Sequence, residues 1–352
     1  MRFTILLAAA LCASAVSPAA AQDAARIDVP AAASWKHAGS GLVLRPGIAG
    51  YPRGTIVDSS GSELDVMVQY AEGGATSVTL NIFRPSVMSV PMWFDRSETQ
   101  ILLRSDAYGT PVPAGPARAF TPPHADAASG LQRVYVPGSG AYKSTGLAMI
   151  PLGEWLVAVR ASSTELDPAA LDARLGEIVG GIVWPDKVAA SPAAVPVAAC
   201  AGVLAYDPKA KPKKPDMGQA LMGAALVGMG QDKAGEGDKA YKDQAVEEAS
   251  PPPVWCREGT PTSDYGVYRA DNADNGYLLA AGDAGVTIGI APAFPLEGKK
   301  VGYTLSVGTL DRTFIYPNFD RLPAPQTAFD AIQRLKPMSS VRRGSKELTI
   351  SM

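Results

Sequence analysis

The chain is short of the side chains that most often do chemistry. In 352 residues it has two histidines, His37 and His124, and three cysteines, Cys12, Cys200 and Cys256. The histidines lie far apart, each flanked by loop residues, with no His-x-x-x-His spacing. That excludes the common zinc arrangements and leaves both expected in solvent-exposed loops. Gly-x-Ser-x-Gly and Ser-x-x-Lys are missing, which removes the familiar serine nucleophiles. There is no Gly-x-x-x-x-Gly-Lys loop and no dinucleotide fingerprint, so no cofactor is implied. An excess of one charge is missing too: 32 Lys and Arg face 34 Asp and Glu. A balanced chain has no general attraction for polyanions, and no nucleic-acid partner is expected. No uncharged apolar run reaches the roughly 20 residues of a membrane-spanning helix.

What is present begins with a leader pattern. Arg2 precedes an apolar stretch from Ile5 to Val16, and Pro18-Ala19-Ala20-Ala21 follows. That is the charged, apolar and small-residue order of a secretory signal over residues 1–21, so the protein is expected to be exported, periplasmic or secreted. Leu11 before Cys12 argues against lipid attachment there. Beyond the leader only Cys200 and Cys256 remain, and an even pair in an oxidising compartment is read as a disulfide. Closing a loop of this length is worth ~4 kcal/mol as an upper figure.

The periodicity divides the chain at Val188-Ala-Ala-Ser-Pro-Ala-Ala-Val-Pro196, a Pro/Ala-rich linker, giving one domain over 39–187 and another over 197–352. In the first, Leu64, Val66, Val68 and Tyr70 alternate with polar residues, as do Val78, Leu80 and Ile82, with Glu72-Gly73-Gly74-Ala75 as the hairpin loop. A helix is expected over Trp93 to Arg104, then strands over 131–136, 142–151 and 154–161. Asp167-Pro168 opens a helix whose Leu171, Leu175, Ile178, Val179 and Ile182 share one face. In the second domain, strands are expected at 286–290, 301–307 and 348–350, with a helix from Pro325. The expected fold class is α+β: two domains, each a mainly antiparallel sheet covered by a few helices.

This order of elements, with "GLAMIPLGEWLVAVRASS" followed by "LDPAALDARLGEIVGGIVWP", resembles the PsbP-like and DcrB-like α/β sandwich domains over about 39–185. The resemblance implies an accessory or binding scaffold and carries no catalytic residue across.

Other motifs resolve into bland readings. "DNADNG", Asp271 to Gly276, has oxygen ligands at alternate positions, as a calcium loop needs, but Ala273 stands third and Gly282 twelfth. A hairpin turn explains the same residues. "KSTG", Lys143 to Gly146, reads as the polar end of a strand. Asp95 with Glu98, and Glu247 with Glu248, read as solvated surface charges.

The unusual segment is 207–253, a disulfide-bounded, Gly-rich excursion with an apolar tip of Met217, Leu221, Met222, Leu226 and Met229. Soft methionine surface adapts to a partner, so these five are the candidate contacts for an envelope protein, and less so for the membrane surface, where aromatic anchors are wanting. The leading reading is a non-enzymatic, exported binding or accessory protein. Its rivals are a hydrolase with its site between the domains and a structural envelope component.

Overall fold

The computed structural model describes residues 24–71, 73–216, 218, 221, 252–294, 302–345 and 347–351. The leader falls outside them, as do Met217, Met222, Leu226, Met229, Glu247 and Glu248; Leu221 is exposed.

The alternating runs become two large sheets. In the first, the strand order is 25–26, 51–58, 65–70, 76–83, 155–163, 144–152, 130–136 and 112–113. Val66, Val68, Tyr70, Val78, Leu80 and Ile82 lie on one face and are buried. That face is covered by helix α3 (Pro168–Gly181), our third helix after α1 (Val90–Leu102) and α2 (Ser105–Tyr108). The Asp167 side chain caps α3 by accepting from the Ala170 amide at 2.8 Å, and Leu171, Leu175, Ile178 and Val179 are buried against the sheet.

The second sheet takes the strands 198–199, 255–258, 265–270, 277–281, 286–292, 303–308, 312–319, 339–342 and 348–350 in chain order. Every pair in this meander is antiparallel except the first. Helix α4 (Pro325–Arg334) packs on one face through Ala328 and Ala331.

The α+β expectation is therefore corrected: the protein is mostly β, with twenty-one strands and four helices among the described residues. Period-2 alternation was concealed where proline or glycine interrupts it. Tyr51–Asp58 contains Pro52 and Gly54 and shifts register between Arg53 and Ile56, and Arg312–Phe319 contains Pro317. Each nonetheless completes a ladder.

No helix among the described residues is long and apolar enough to cross a membrane. A disulfide joins Cys200 to Cys256, with Cα atoms 4.9 Å apart and a sequence separation of 56. It pins the edge strand 198–199 to its parallel neighbour, where the Cys200 amide also donates to the Arg257 carbonyl. The chain after Cys200 is tied down as well. Leu204 and Ala210 are buried, the Asp207 amide donates to the Leu322 carbonyl, and the Lys213 amide donates to the Asn318 carbonyl. The disulfide thus fastens an edge of the second sheet. Replacing both cysteines by serine is expected to cost about 2–4 kcal/mol of unfolding free energy in urea titration. An unchanged midpoint would show that the edge is held by its hydrogen bonds alone.

Helix α1 is the element that joins the sheets. Ser89 caps it and Pro91 occupies its first turn. A surface helix shows one buried stripe, but here Val90, Met92, Trp93, Phe94, Asp95, Arg96, Ser97, Thr99 and Ile101 are all buried. The cause is a sheet on either side. Trp93 and Phe94 share one core with Leu131, Tyr135, Leu147, Met149 and Leu156 of the first sheet and with Tyr268 and Ala280 of the second.

Candidate functional site

The seam between the sheets contains several paired polar groups, although the buried Ser97 hydroxyl on α1 has no hydrogen-bond partner among the described residues. Arg96 is fully buried, and its guanidinium donates to the carbonyls of Gly282 at 2.9 Å, Thr262 at 3.0 Å and Ser263 at 3.2 Å. Beside it, Asp95 accepts from Arg257 and from the Tyr268 hydroxyl, both at 2.6 Å. One helical turn on, Glu98 accepts from Arg133 at 2.6 Å and from Tyr135 at 3.1 Å. Burial first, then the adjoining carboxylate, pushes the Tyr135 and Tyr268 phenols far above their usual range, so both are fixed donors. Glu258 repeats the pattern with Tyr206 at 2.6 Å and Arg269 at 3.1 Å.

The expectation that Asp95 and Glu98 are solvated surface charges is corrected. Both are paired inside the seam, because α1 is enclosed on two sides and an unpaired carboxylate there would be prohibitively costly.

Backbone approaches backbone at the same seam. Gly285 sits at φ 96°, and a Cβ there would lie 2.9 Å from the Pro85 Cα. The Ser86 amide and hydroxyl both donate to the Gly285 carbonyl, at 2.8 and 2.9 Å. Arg343 reaches across to the Pro85 carbonyl at 2.7 Å.

His37 is a second correction. It is fully buried, its ring edge-on to Trp155 at 4.6 Å, with Nε2 2.7 Å from the Glu63 carbonyl and Nδ1 2.7 Å from the Ser40 hydroxyl. Since a carbonyl only accepts, Nε2 carries the proton, and the ring fastens a loop. His124 is exposed and donates from Nδ1 to the Pro185 carbonyl. Asp271–Gly276 is a hairpin turn, with Asp271 and Asn272 at φ 48° and 56°. The Asp271 carboxylate accepts from the Val254 amide. Among the described residues no cluster of three or more His, Cys, Asp or Glu is placed to hold a metal.

Openings at the edges of the seam include two of contrasting chemistry. One is a groove of about 540 Å³ lined by Pro192, Val195, Pro196, Pro252, Pro253 and Val254 among others. Among the described residues its lining contains no ionisable side chain, since Cys256 is disulfide-bonded. This is poor ground for a hydrolytic site between the sheets.

The other is a polar cleft of about 370 Å³ on the face of the first sheet opposite α3, beside the C-terminal end of α1 and α2. Helix α1 covers only part of that face. The strands 65–70, 76–83 and 155–163 extend beyond it, and their second set of side chains forms the cleft floor. Register sets these groups in rows across the strands. Gln69 stands opposite Thr79, and Thr79 opposite Arg160. Ser77 stands opposite Ser162, and Ser162 opposite Thr145. The Ser162 hydroxyl is bonded to Thr145 at 2.8 Å and to Tyr108 at 2.9 Å. Tyr142, 5.5 Å from the Tyr108 ring, and Arg104, 5.8 Å above it, form the rim. Gln69, Ser77, Thr79 and Asn81 make no side-chain hydrogen bond to any described residue.

At the end of this face Asp65 feels the charges of Asp283 and Asp58, and Asp283 is ion-paired with Arg160. Burial first, then the charges of Asp283 and Asp58, raises the Asp65 carboxyl to about 6. The folded chain thus binds a proton more readily than the unfolded chain between pH 4 and 6, and stability from this residue falls as pH rises through that window. Asp65→Asn is expected to add about 2 kcal/mol at pH 7 and almost nothing at pH 4, measured by urea titration. Parallel stability curves for the two proteins across that range would contradict the assignment.

The two cysteines expected to pair do so. The loop residues expected to meet a partner lie outside the described residues, apart from exposed Leu221. The reading of the sequence missed the cleft and Arg96. The available signal for the cleft was the polar half of the alternation: Ser77, Thr79 and Asn81 are three non-charged hydrogen-bonding side chains in a row, where a purely solvated strand face is commonly charged. Arg96 left no signal, since its acceptors are carbonyls well over 150 residues away.

No family model, no curated protein and no solved structure matches the chain. The likeness to PsbP-like and DcrB-like domains rests on element order and pattern alone.

Proposed function

We propose that the protein is an exported, non-enzymatic binding or accessory protein whose ligand site is the polar cleft on the first sheet. One observation carries this reading: a concave surface where Gln69, Ser77, Thr79 and Asn81 converge without partners among the described residues. The lining holds hydroxyls, amides, two tyrosines and two arginines, a set suited to holding a polar molecule. Among the described residues its lining has no histidine, thiol or carboxylate to move a proton or attack a bond. The leader pattern and the disulfide support export. An envelope protein partner, docking through the segment that contains Leu221, is compatible with this role.

The test is native mass spectrometry of the protein incubated with a small-molecule extract of the cell envelope, beside a Ser77→Leu/Thr79→Leu variant that fills the cleft. A species retained by the wild type and lost from the variant supports the reading. Retention by both proteins alike, or by neither, removes the cleft as the ligand site.

A further inference from the structure

The cleft also constrains the chemistry of what enters it. Charge is the first constraint. Arg104 and Arg160 line it, and among the described residues no carboxylate does. Arg160 gives one of its two terminal nitrogens to Asp283, which stands outside the lining, and its side chain is 26% exposed. Arg104 is exposed and anchored only over the Tyr108 ring. Guanidinium groups are suited to planar or tetrahedral oxyanions, which they hold through paired hydrogen bonds.

The density of neutral hydrogen-bonding groups is the second. Adjacent strands lie ~4.8 Å apart, so Gln69, Thr79 and Arg160 form a ladder of amide, hydroxyl and guanidinium at that spacing. Ser77 adds a hydroxyl on the neighbouring row, whose further members Ser162 and Thr145 are buried and bonded to each other and to Tyr108. Each of these groups can both donate and accept, except the guanidinium, which only donates. A ligand that satisfies this ladder and Ser77 presents several hydroxyls in a fixed, nearly planar array. Hydroxyls on alternate carbons of a sugar ring have a similar separation. Lipid chains find little here, since the apolar lining is confined to side chains such as Met67 and Ile101.

Resting on the reading of the cleft as a ligand site, we infer that it takes an anionic sugar: a single ring bearing one carboxylate or phosphate, its hydroxyls on Gln69, Thr79 and Ser77 and its charge toward Arg104 and Arg160. Thr79, at the centre of the ladder, and Arg104, on the rim, are the specificity-determining residues.

Isothermal titration of the full chain with glucuronate, glucose 1-phosphate, glucose and inorganic phosphate tests this. The expected result is binding of glucuronate or glucose 1-phosphate at least tenfold tighter than glucose and than inorganic phosphate. Glucuronate alone identifies a sugar acid as the source of the charge, and glucose 1-phosphate alone a sugar phosphate. Thr79→Val is expected to weaken the charged sugar about tenfold, and Arg104→Ala to remove the preference for charged over neutral sugar. Both positions are at least partly exposed, and melting curves check that each variant folds. Glucose binding as tightly as the charged sugars would overturn the anionic assignment while leaving the cleft a ligand site. Inorganic phosphate binding as tightly would overturn the sugar. No binding by any of the four, while the envelope extract still yields a species lost from the filled variant, would overturn the ligand class and spare the proposed function.

Discussion

Arg96→Met is expected to lower the unfolding free energy by about 4 kcal/mol, at the upper end of what a single substitution does. Methionine keeps the apolar stem of the side chain but removes the donors that satisfy the carbonyls of Gly282, Thr262 and Ser263. Hydrogen bonds from a charged donor each contribute more than neutral ones, and buried acceptors left without a partner bear their full desolvation cost. Burial holds the Arg96 guanidinium below its usual pKa, yet it stays charged at any working pH, so its contribution does not vary between about pH 5 and 9. Urea titration checks the magnitude. A loss under about 1 kcal/mol would mean that water reaches those carbonyls and that the seam is not dry.

Asp95→Ala follows, at about 3 kcal/mol, because it strands the buried Tyr268 hydroxyl and leaves Arg257 without its carboxylate. The cost comes mostly from the partners left behind. Tyr268→Phe alone removes one hydrogen bond and is expected to cost roughly 1 kcal/mol. A double-mutant cycle between the two separates these effects. Coupling of about 1–2 kcal/mol is expected for residues in direct contact. Coupling near zero would show that the 2.6 Å hydrogen bond contributes nothing net to stability.

Both predictions arise where the sequence is hardest to read. The strand pair 65–70 with 76–83 follows from alternation and a glycine-containing turn, since a half-buried strand imposes period 2 on its own residues. The strands 144–152 and 155–163, by contrast, are buried along nearly their whole length and were marked by the glycine between them. The cap of α3 follows from Asp167-Pro168 in the same local way. The disulfide follows from cysteine arithmetic. Helix α1 was visible as a helix, but its environment was not: "WFDRSETQ" reads as half polar, and only the meeting of two sheets makes Asp95, Arg96 and Glu98 interior residues. His37 misled for the same reason, because Trp155, which encloses it, comes more than a hundred residues later. The cleft needed the register of four strands before its polar residues could be seen as one surface. Local pattern therefore specified elements, while charge burial and the candidate site depended on long-range pairing.

The position of the cleft gives the seam a role in the proposed function. Arg160 lines the cleft and pairs with Asp283 of the second sheet, and α1 and α2 supply Ile101 and Tyr108 to its wall. A sheet that moved relative to the other would displace these groups. The proposed site thus depends on both sheets behaving as one body, a condition met when the shared core around Trp93, Phe94 and Tyr268 and the Arg96 bonds break together.

Scanning calorimetry of the intact, oxidised protein tests that dependence most directly. One transition is predicted, with calorimetric and van't Hoff enthalpies equal, and Arg96→Met should shift it to lower temperature or split it in two. Two resolved transitions in the wild type, only one of them moved by Arg96→Met, would show sheets that fold apart and a cleft wall that is not fixed.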